Sequence, residues 1–268
     1  MTARYDPLFG ALTDDATWFP SPAHVFRRAA LLDMMRGLPP GRLLDMGCGA
    51  GRLLVDWDWL GHAGEGAEID PAARALARDC VEAFGADFRI IEAPEAEQAG
   101  TYDYLTVIEV LEHLEDPRGA LESWSRSLRD GGVLVASVPA FQRLWGASDA
   151  WAGHVQRFEP ADFRGLVEAC GFEILESRLY GFPIGNLARI AGNLTSARKM
   201  RARADGDLDR QGATLASGRD RSAEAGLRAW LRSPPVTAGL RTGIAVQRLF
   251  RKRRGIGIAV MARLSRPA

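Results

Sequence analysis

The stretch Leu43 to Leu53, LLDMGCGAGRL, constrains this chain more than any other. An apolar run reaches Asp45 and is followed at once by Gly47, Gly49 and Gly51. Glycine admits positive φ and, having no Cβ, lets a ligand approach the backbone. A strand that passes through such a turn into a helix offers main-chain N–H groups to a nucleotide-like cofactor. The spacing then narrows the choice. The dinucleotide fingerprint needs glycine at its first, third and sixth positions, and counted from Gly47 the sixth position is Arg52.

The flanking chain alternates strand and helix patterns. Ser21-Pro22 starts a helix that runs to about Arg36, ahead of Gly37 and Pro39-Pro40. Strands are expected at Leu43 to Met46, up to Asp70, Asp87 to Ile91, Tyr102 to Ile108, Val133 to Val138, Phe172 to Leu179 and Ile256 to Leu264. Asp70-Pro71 and Asp116-Pro117 read as helix caps followed by the first helical residue. This is the pattern of an α/β fold, a doubly wound and mainly parallel sheet whose ligand lies beyond the carboxyl ends of its strands. Residues 1–40 form an N-terminal cap read as irregular over 1–20, 41–180 the cofactor-binding core, 181–255 a basic helical insertion, and 256–268 the final strand.

Charge is zero overall but uneven. Residues 198–268 hold 17 Arg/Lys against 5 Asp/Glu, and residues 1–197 hold 17 against 29. A basic region of this kind suits nucleic acid, an anionic membrane or the acidic body of its own protein. Three cysteines with no zinc spacing fit a reducing compartment. With no apolar run near the roughly 18 residues of a membrane span, the expectation is a cytoplasmic, bacterial protein.

The pattern Asp45-x-Gly47-x-Gly49-x-Gly51 resembles motif I of class I S-adenosylmethionine (SAM) methyltransferases. The resemblance implies a Rossmann-like, seven-stranded sheet with a helical insertion before the last strand. It assigns the loop Asp45, Gly47, Cys48, Gly49 and Gly51 to the cofactor's amino-acid part. It also gives Glu68 the ribose hydroxyls, Ile69 the adenine face and Glu92 the adenine amine.

A second constellation, Glu109-Val110-Leu111-Glu112-His113, follows the fourth core strand, where the reactive methyl would lie. Two acids and an imidazole at i, i+3 and i+4 share one side of a helix. Such a set can serve as a general base, His113 oriented by Glu112; as a divalent metal site; or as a cap for the next helix. The segment is similar to the E-V-L-E-H of ubiquinone-biosynthesis O-methyltransferases and small-RNA 2′-O-methyltransferases. That likeness implies that Glu109, Glu112, His113 and a later histidine, His154, hold Mg2+ or another divalent ion, with Glu109 also beside the cofactor.

Trp18-Phe19 with Arg27, and VPAFQRLWGASDAWAGHVQRF after the fifth strand, resemble a bacterial branch of these enzymes. The resemblance places Trp18, Phe19, Phe141, Trp145, Asp149, His154 and Arg157 around the acceptor, with loop pinning the alternative role for Asp149 and Arg157; Gly146, Gln156 and Phe158 depart from its pattern. The expected activity is SAM-dependent O-methylation of a small-molecule hydroxyl, on a quinol, sugar or lipid-linked acceptor. RNA 2′-O-methylation and a non-catalytic SAM-binding scaffold are the alternatives. The segment 240–254 interleaves Leu240, Ile244, Leu249 and Phe250 with arginines, a pattern for peripheral lipid contact, for RNA, or for a cover over the acidic body.

Overall fold

In the computed structural model, described over residues 3–13, 19–94, 98–202 and 227–265, seven strands form one sheet. The core strands are β3 (Arg42–Met46), β4 (Ala63–Ala67), β5 (Phe88–Ile91), β6 (Tyr102–Ile108), β7 (Leu128–Pro139), β8 (Phe172–Tyr180) and β9 (Gly257–Leu264). Their order is β5-β4-β3-β6-β7-β9-β8, and β9 runs antiparallel to both neighbours. The other pairings are parallel. From β3 the chain first builds outward through β4 and β5, then returns to place β6 on the other side. The cleft between β3 and β6 is therefore the switch point at which such sheets bind ligands.

Helices α1 (Pro22–Met35), α2 (Arg52–Trp59) and α3 (Pro71–Phe84) precede β6. Then come α4 (Pro117–Ser125), α5 (Ala147–Ala152), α6 (Pro160–Ala169), α7 (Ile184–Ala202), α8 (Arg228–Leu231) and α9 (Pro234–Phe250). The expected caps are present. Ser21 accepts from His24 N, Asp70 from Ala72 N and Ala73 N, and Asp116 from Gly119 N. Two apolar layers cover the sheet. One packs Leu105, Val107, Leu134 and Val260 with α4 and α6 residues. The other packs Leu43, Trp57, Tyr104 and Val135 with α1 and α3.

Residues 3–13 correct the reading of an irregular N-terminus. β1 (Ala3–Asp6) and β2 (Gly10–Thr13) form an antiparallel hairpin. Asp6 Oδ1 accepts from Leu8 N and Phe9 N in its turn. A buried ion pair holds it down. Arg28 meets Asp56 at 2.7 Å, and the same guanidinium donates to Pro7 O, Leu8 O and the Tyr5 hydroxyl. Four-residue strands leave little alternation to read, and their anchors lie far along the chain.

Between β8 and β9 stand α7, α8 and α9. The amphipathic side of α9 is spent on the protein itself: Leu240 and Gln247 are buried, and Gly243 faces Phe26 and Ile184. Arg248 pairs with Asp33 of α1 at 2.7 Å. Arg241, Leu249 and Arg251 to Arg254 remain exposed. No helix among the described residues is long and apolar enough to cross a membrane.

Candidate active site

The glycine turn follows β3 because each glycine meets a different demand. Gly47, Gly49 and Gly51 have φ of 73°, 55° and 73°. A Cβ on Gly47 would fall 2.5 Å from Val110 Cγ2, and one on Gly51 would fall 3.0 Å from the Ala77 backbone. One on Gly49 would meet nothing within 4 Å. Two of the glycines thus permit close packing, and the middle one borders open space. Gly47 N and Cys48 N both donate to Ala67 O, which fixes the turn to the end of β4.

Just beyond β4, the Glu68 carboxylate accepts from Gly49 N at 3.0 Å and from Asp70 N at 2.9 Å. Ile69 beside it is 67% exposed. Glu92 lies exposed and pairs with Arg74 at 3.1 Å. Beneath the loop, Asp45 is buried and accepts from Thr106 Oγ1. Burial pushes its carboxyl up to about 7, Glu68 adds to the rise, and the Thr106 hydroxyl opposes it. Burial likewise raises the Cys48 thiol. An open Gly49, a carboxylate at the strand end and an exposed apolar side chain suit an adenosyl ligand with ribose hydroxyls.

The second constellation touches the first, since Val110 is the residue against Gly47. It is not one helical face. Glu109 has φ 56°, and Leu111–His113 is a single 3₁₀ turn. The turn separates Glu109 from its neighbours. Arg27 pairs with Glu109 at 2.9 Å, and the hydroxyls of Tyr180 and Ser137 donate to it at 2.7 and 3.1 Å. Glu109 therefore stands outside the ligand group, while Glu112, His113 and His154 each offer an atom within 4.8 Å of the others. Arg27 carried no assigned role in the sequence, and Tyr180 and Ser137 were not legible as site residues. The one available signal is Arg27, a charge on the inward side of α1.

Glu112 is fully buried, and neither carboxylate oxygen has a hydrogen bond. Burial first, and then the charge of Glu109, raise its pKa well above the ordinary carboxylate range. His154 Nε2 lies 3.9 Å from it, and the rings of His113 and His154 meet edge-on with centroids 4.8 Å apart. Burial and the neighbouring His154 lower His113 to about 4, so it is neutral near pH 7. An orphaned buried carboxylate beside two imidazoles fits a divalent cation. The nitrogen-rich set suits a transition ion or zinc better than Mg2+, which prefers oxygen.

The loop after β7 delivers His154. Asp149, buried, accepts from His154 Nδ1 at 3.0 Å, Arg157 Nε at 2.8 Å and Gly146 N at 2.8 Å. Burial alone would raise its pKa; the His154 hydrogen bond and the Arg157 charge overcome that and hold it low. Arg157 also donates to Ala140 O and Ile256 O. Both residues pin the loop, one of the two roles expected for them. The expected place of Phe19 around the acceptor is corrected: it is fully buried against Phe9 in the cluster under α8 and α9. Phe141 is part-buried at φ 66° with Arg143 over its ring, and Trp145 is 37% exposed. Trp18 lies outside the described residues.

Comparison with known proteins accords with this geometry. The methyltransferase-domain family matches residues 23–177, more than half of the chain. The chain belongs to the methyltransferase-domain family. The fold and glycine loop of this methyltransferase domain are those of the class I, SAM-binding type. Among curated proteins it is similar to the ubiquinone biosynthesis O-methyltransferase of Xanthomonas campestris, 34% identical over 105 residues, 38% of this chain and 44% of that one. The counterpart from Cronobacter sakazakii is 29% identical over 151 residues, 54% of this chain and 60% of that one. The methyltransferase domain thus spans roughly half the length of these relatives. Among solved structures, the [4+2]-cyclase SpnF superposes with TM-score 0.56 at 20% identity, over 98% of this chain and 89% of that one. YcgJ from Bacillus subtilis gives 0.56 at 12%, over 90% and 99%. These likenesses show the fold.

Proposed function

We propose that this methyltransferase domain transfers the methyl group of SAM to a hydroxyl of a small molecule. The observation that carries the reading is the unpaired Glu112 carboxylate beside His113 and His154, held against the glycine loop through Val110 and Gly47. SAM supplies an electrophilic methyl on sulfur. The acceptor oxygen attacks that carbon in line as the C–S bond breaks, and the sulfur takes the electron pair. The protein's share is alignment and removal of the hydroxyl proton.

The glycine turn holds the cofactor's amino-acid part, Glu68 takes the ribose hydroxyls, and Ile69 offers an apolar face to the base. Glu112, His113 and His154 would hold a divalent ion, which lowers the pKa of a hydroxyl bound to it. Asp149 fixes the His154 ring by accepting a hydrogen bond from Nδ1–H, leaving Nε2 turned to Glu112. Where no ion is used, neutral His113 is the base. The three cysteines are free, in keeping with the cytoplasmic setting we propose.

The test is transfer from methyl-labelled SAM to a panel of phenols, catechols and sugars, with RNA as a parallel substrate. The expected product is an O-methyl small molecule. Transfer to RNA with a steep salt dependence would replace this reading with RNA 2′-O-methylation.

A further inference from the structure

Helix α7 is built inside out. Leu187, Ile190 and Leu194 on its outer side are 66%, 53% and 59% exposed. Gly185, Asn186, Arg189 and Asn193 turn toward the body. Apolar burial does not place polar residues on a packed face, so each needs a partner. Asn193 has one: its Oδ1 accepts from Ser148 N at 3.0 Å and Ser148 Oγ at 2.5 Å. A Cβ on Gly146 would fall 2.4 Å from that amide, which accounts for glycine at that position.

Arg189 lacks such a partner. Its Nη1 donates to Leu144 O at 3.1 Å, while its Nε is buried with no acceptor. It forms no ion pair among the described residues. The nearby cation, Arg157, already holds Asp149. Burial and the like charge of Arg157 together lower the Arg189 pKa. Three residues earlier on the same side of α7, Asn186 Oδ1 is also buried without a partner. Leu144 belongs to the loop that carries His154, so Arg189 stands against that loop. Arg189 is part-buried with one free, buried nitrogen, so it keeps donor capacity for an anion, and a guanidinium fork matches two oxygens of one anion.

We propose that Arg189 forms an anion subsite, and that the methyl acceptor is a hydroxyl compound bearing a carboxylate or a phosphate ester. This rests on the methyl-transfer reading and adds the acceptor's charge to it. Arg189 fixes the anionic group, and Asn186 Oδ1, an acceptor, takes a hydrogen bond from a hydroxyl of the same compound.

The experiment is calorimetric titration of inorganic phosphate, and separately of benzoate, into the full chain saturated with S-adenosylhomocysteine. Saturable binding of at least one anion is expected. Arg189→Gln should weaken it about ten-fold or more, Arg189→Lys less, and Arg198→Gln on the exposed side of α7 not at all. Which anion binds separates the carboxylate from the phosphate acceptor. Absence of saturable binding to the wild type, or Arg189→Gln binding like the wild type, overturns the subsite. Loss of S-adenosylhomocysteine binding by the wild type would instead overturn the cofactor reading beneath it.

Discussion

Asp149 Oδ1 lies 3.0 Å from His154 Nδ1, and the same buried carboxylate takes a second bond from Arg157. One side chain therefore orients the imidazole and ties down the loop that bears it. Asp149→Asn keeps the size but removes the charge and one acceptor. Affinity for Mn2+ or Zn2+ is expected to fall roughly 10- to 100-fold, with S-adenosylhomocysteine affinity unchanged. Paired metal and cofactor titrations check both halves.

Gly47 and Gly49 both have positive φ but different surroundings. An alanine at either position costs about 1–2 kcal/mol for the left-handed backbone. Gly47→Ala adds the Val110 contact at 2.5 Å, whereas Gly49→Ala meets no protein atom. Gly47→Ala should thus lower thermal stability more, while Gly49→Ala should fold and lose SAM binding. Melting curves with and without SAM separate the two.

Asp45 sets a pH dependence whose sign follows from its raised pKa. Its carboxyl titrates at about 7 in the fold, against about 4 when unfolded. A group raised on folding contributes stability that is complete below the unfolded pKa and is lost as pH rises through the folded one. Cofactor-free wild type should lose stability relative to Asp45→Asn between about pH 4 and 7. Denaturant unfolding at several pH values measures the difference; a constant offset would count against the buried acid.

Arg28 and Asp56 form the buried pair that anchors the hairpin. Arg28→Met leaves the Asp56 carboxylate buried without its cation, and a loss of about 3–5 kcal/mol is expected. Limited proteolysis should then cut within residues 3–13 first. An unchanged unfolding midpoint would contradict the anchoring role.

Much of the fold was legible because it rests on local signals. Asp70-Pro71 and Asp116-Pro117 marked helix starts, the strand and helix periods alternated, and the glycine turn located the switch point. What stayed hidden depends on contacts distant in sequence. Tyr180 grips Glu109 across 71 positions, and no spacing rule encodes that. Glu109 left its expected ligand group because of one positive φ, which a sequence pattern does not carry. Phe19 is expected around the acceptor because aromatics beside a site resemble aromatics in a core until packing is known. Asp149 keeps two readings in the sequence for a related reason: its partners His154 and Arg157 are close along the chain, but only the turn of the loop brings them onto one carboxylate.

The central claim is that Glu112, His113 and His154 activate an acceptor hydroxyl beside the methyl of SAM. The most direct measurement is the initial rate of methyl transfer to an accepted hydroxyl compound, before and after chelation and metal add-back, in wild type and Glu112→Gln. The account predicts loss on chelation, recovery with Mn2+ or Zn2+, and no recovery in Glu112→Gln. A rate unaffected by both the chelator and the substitution would contradict it.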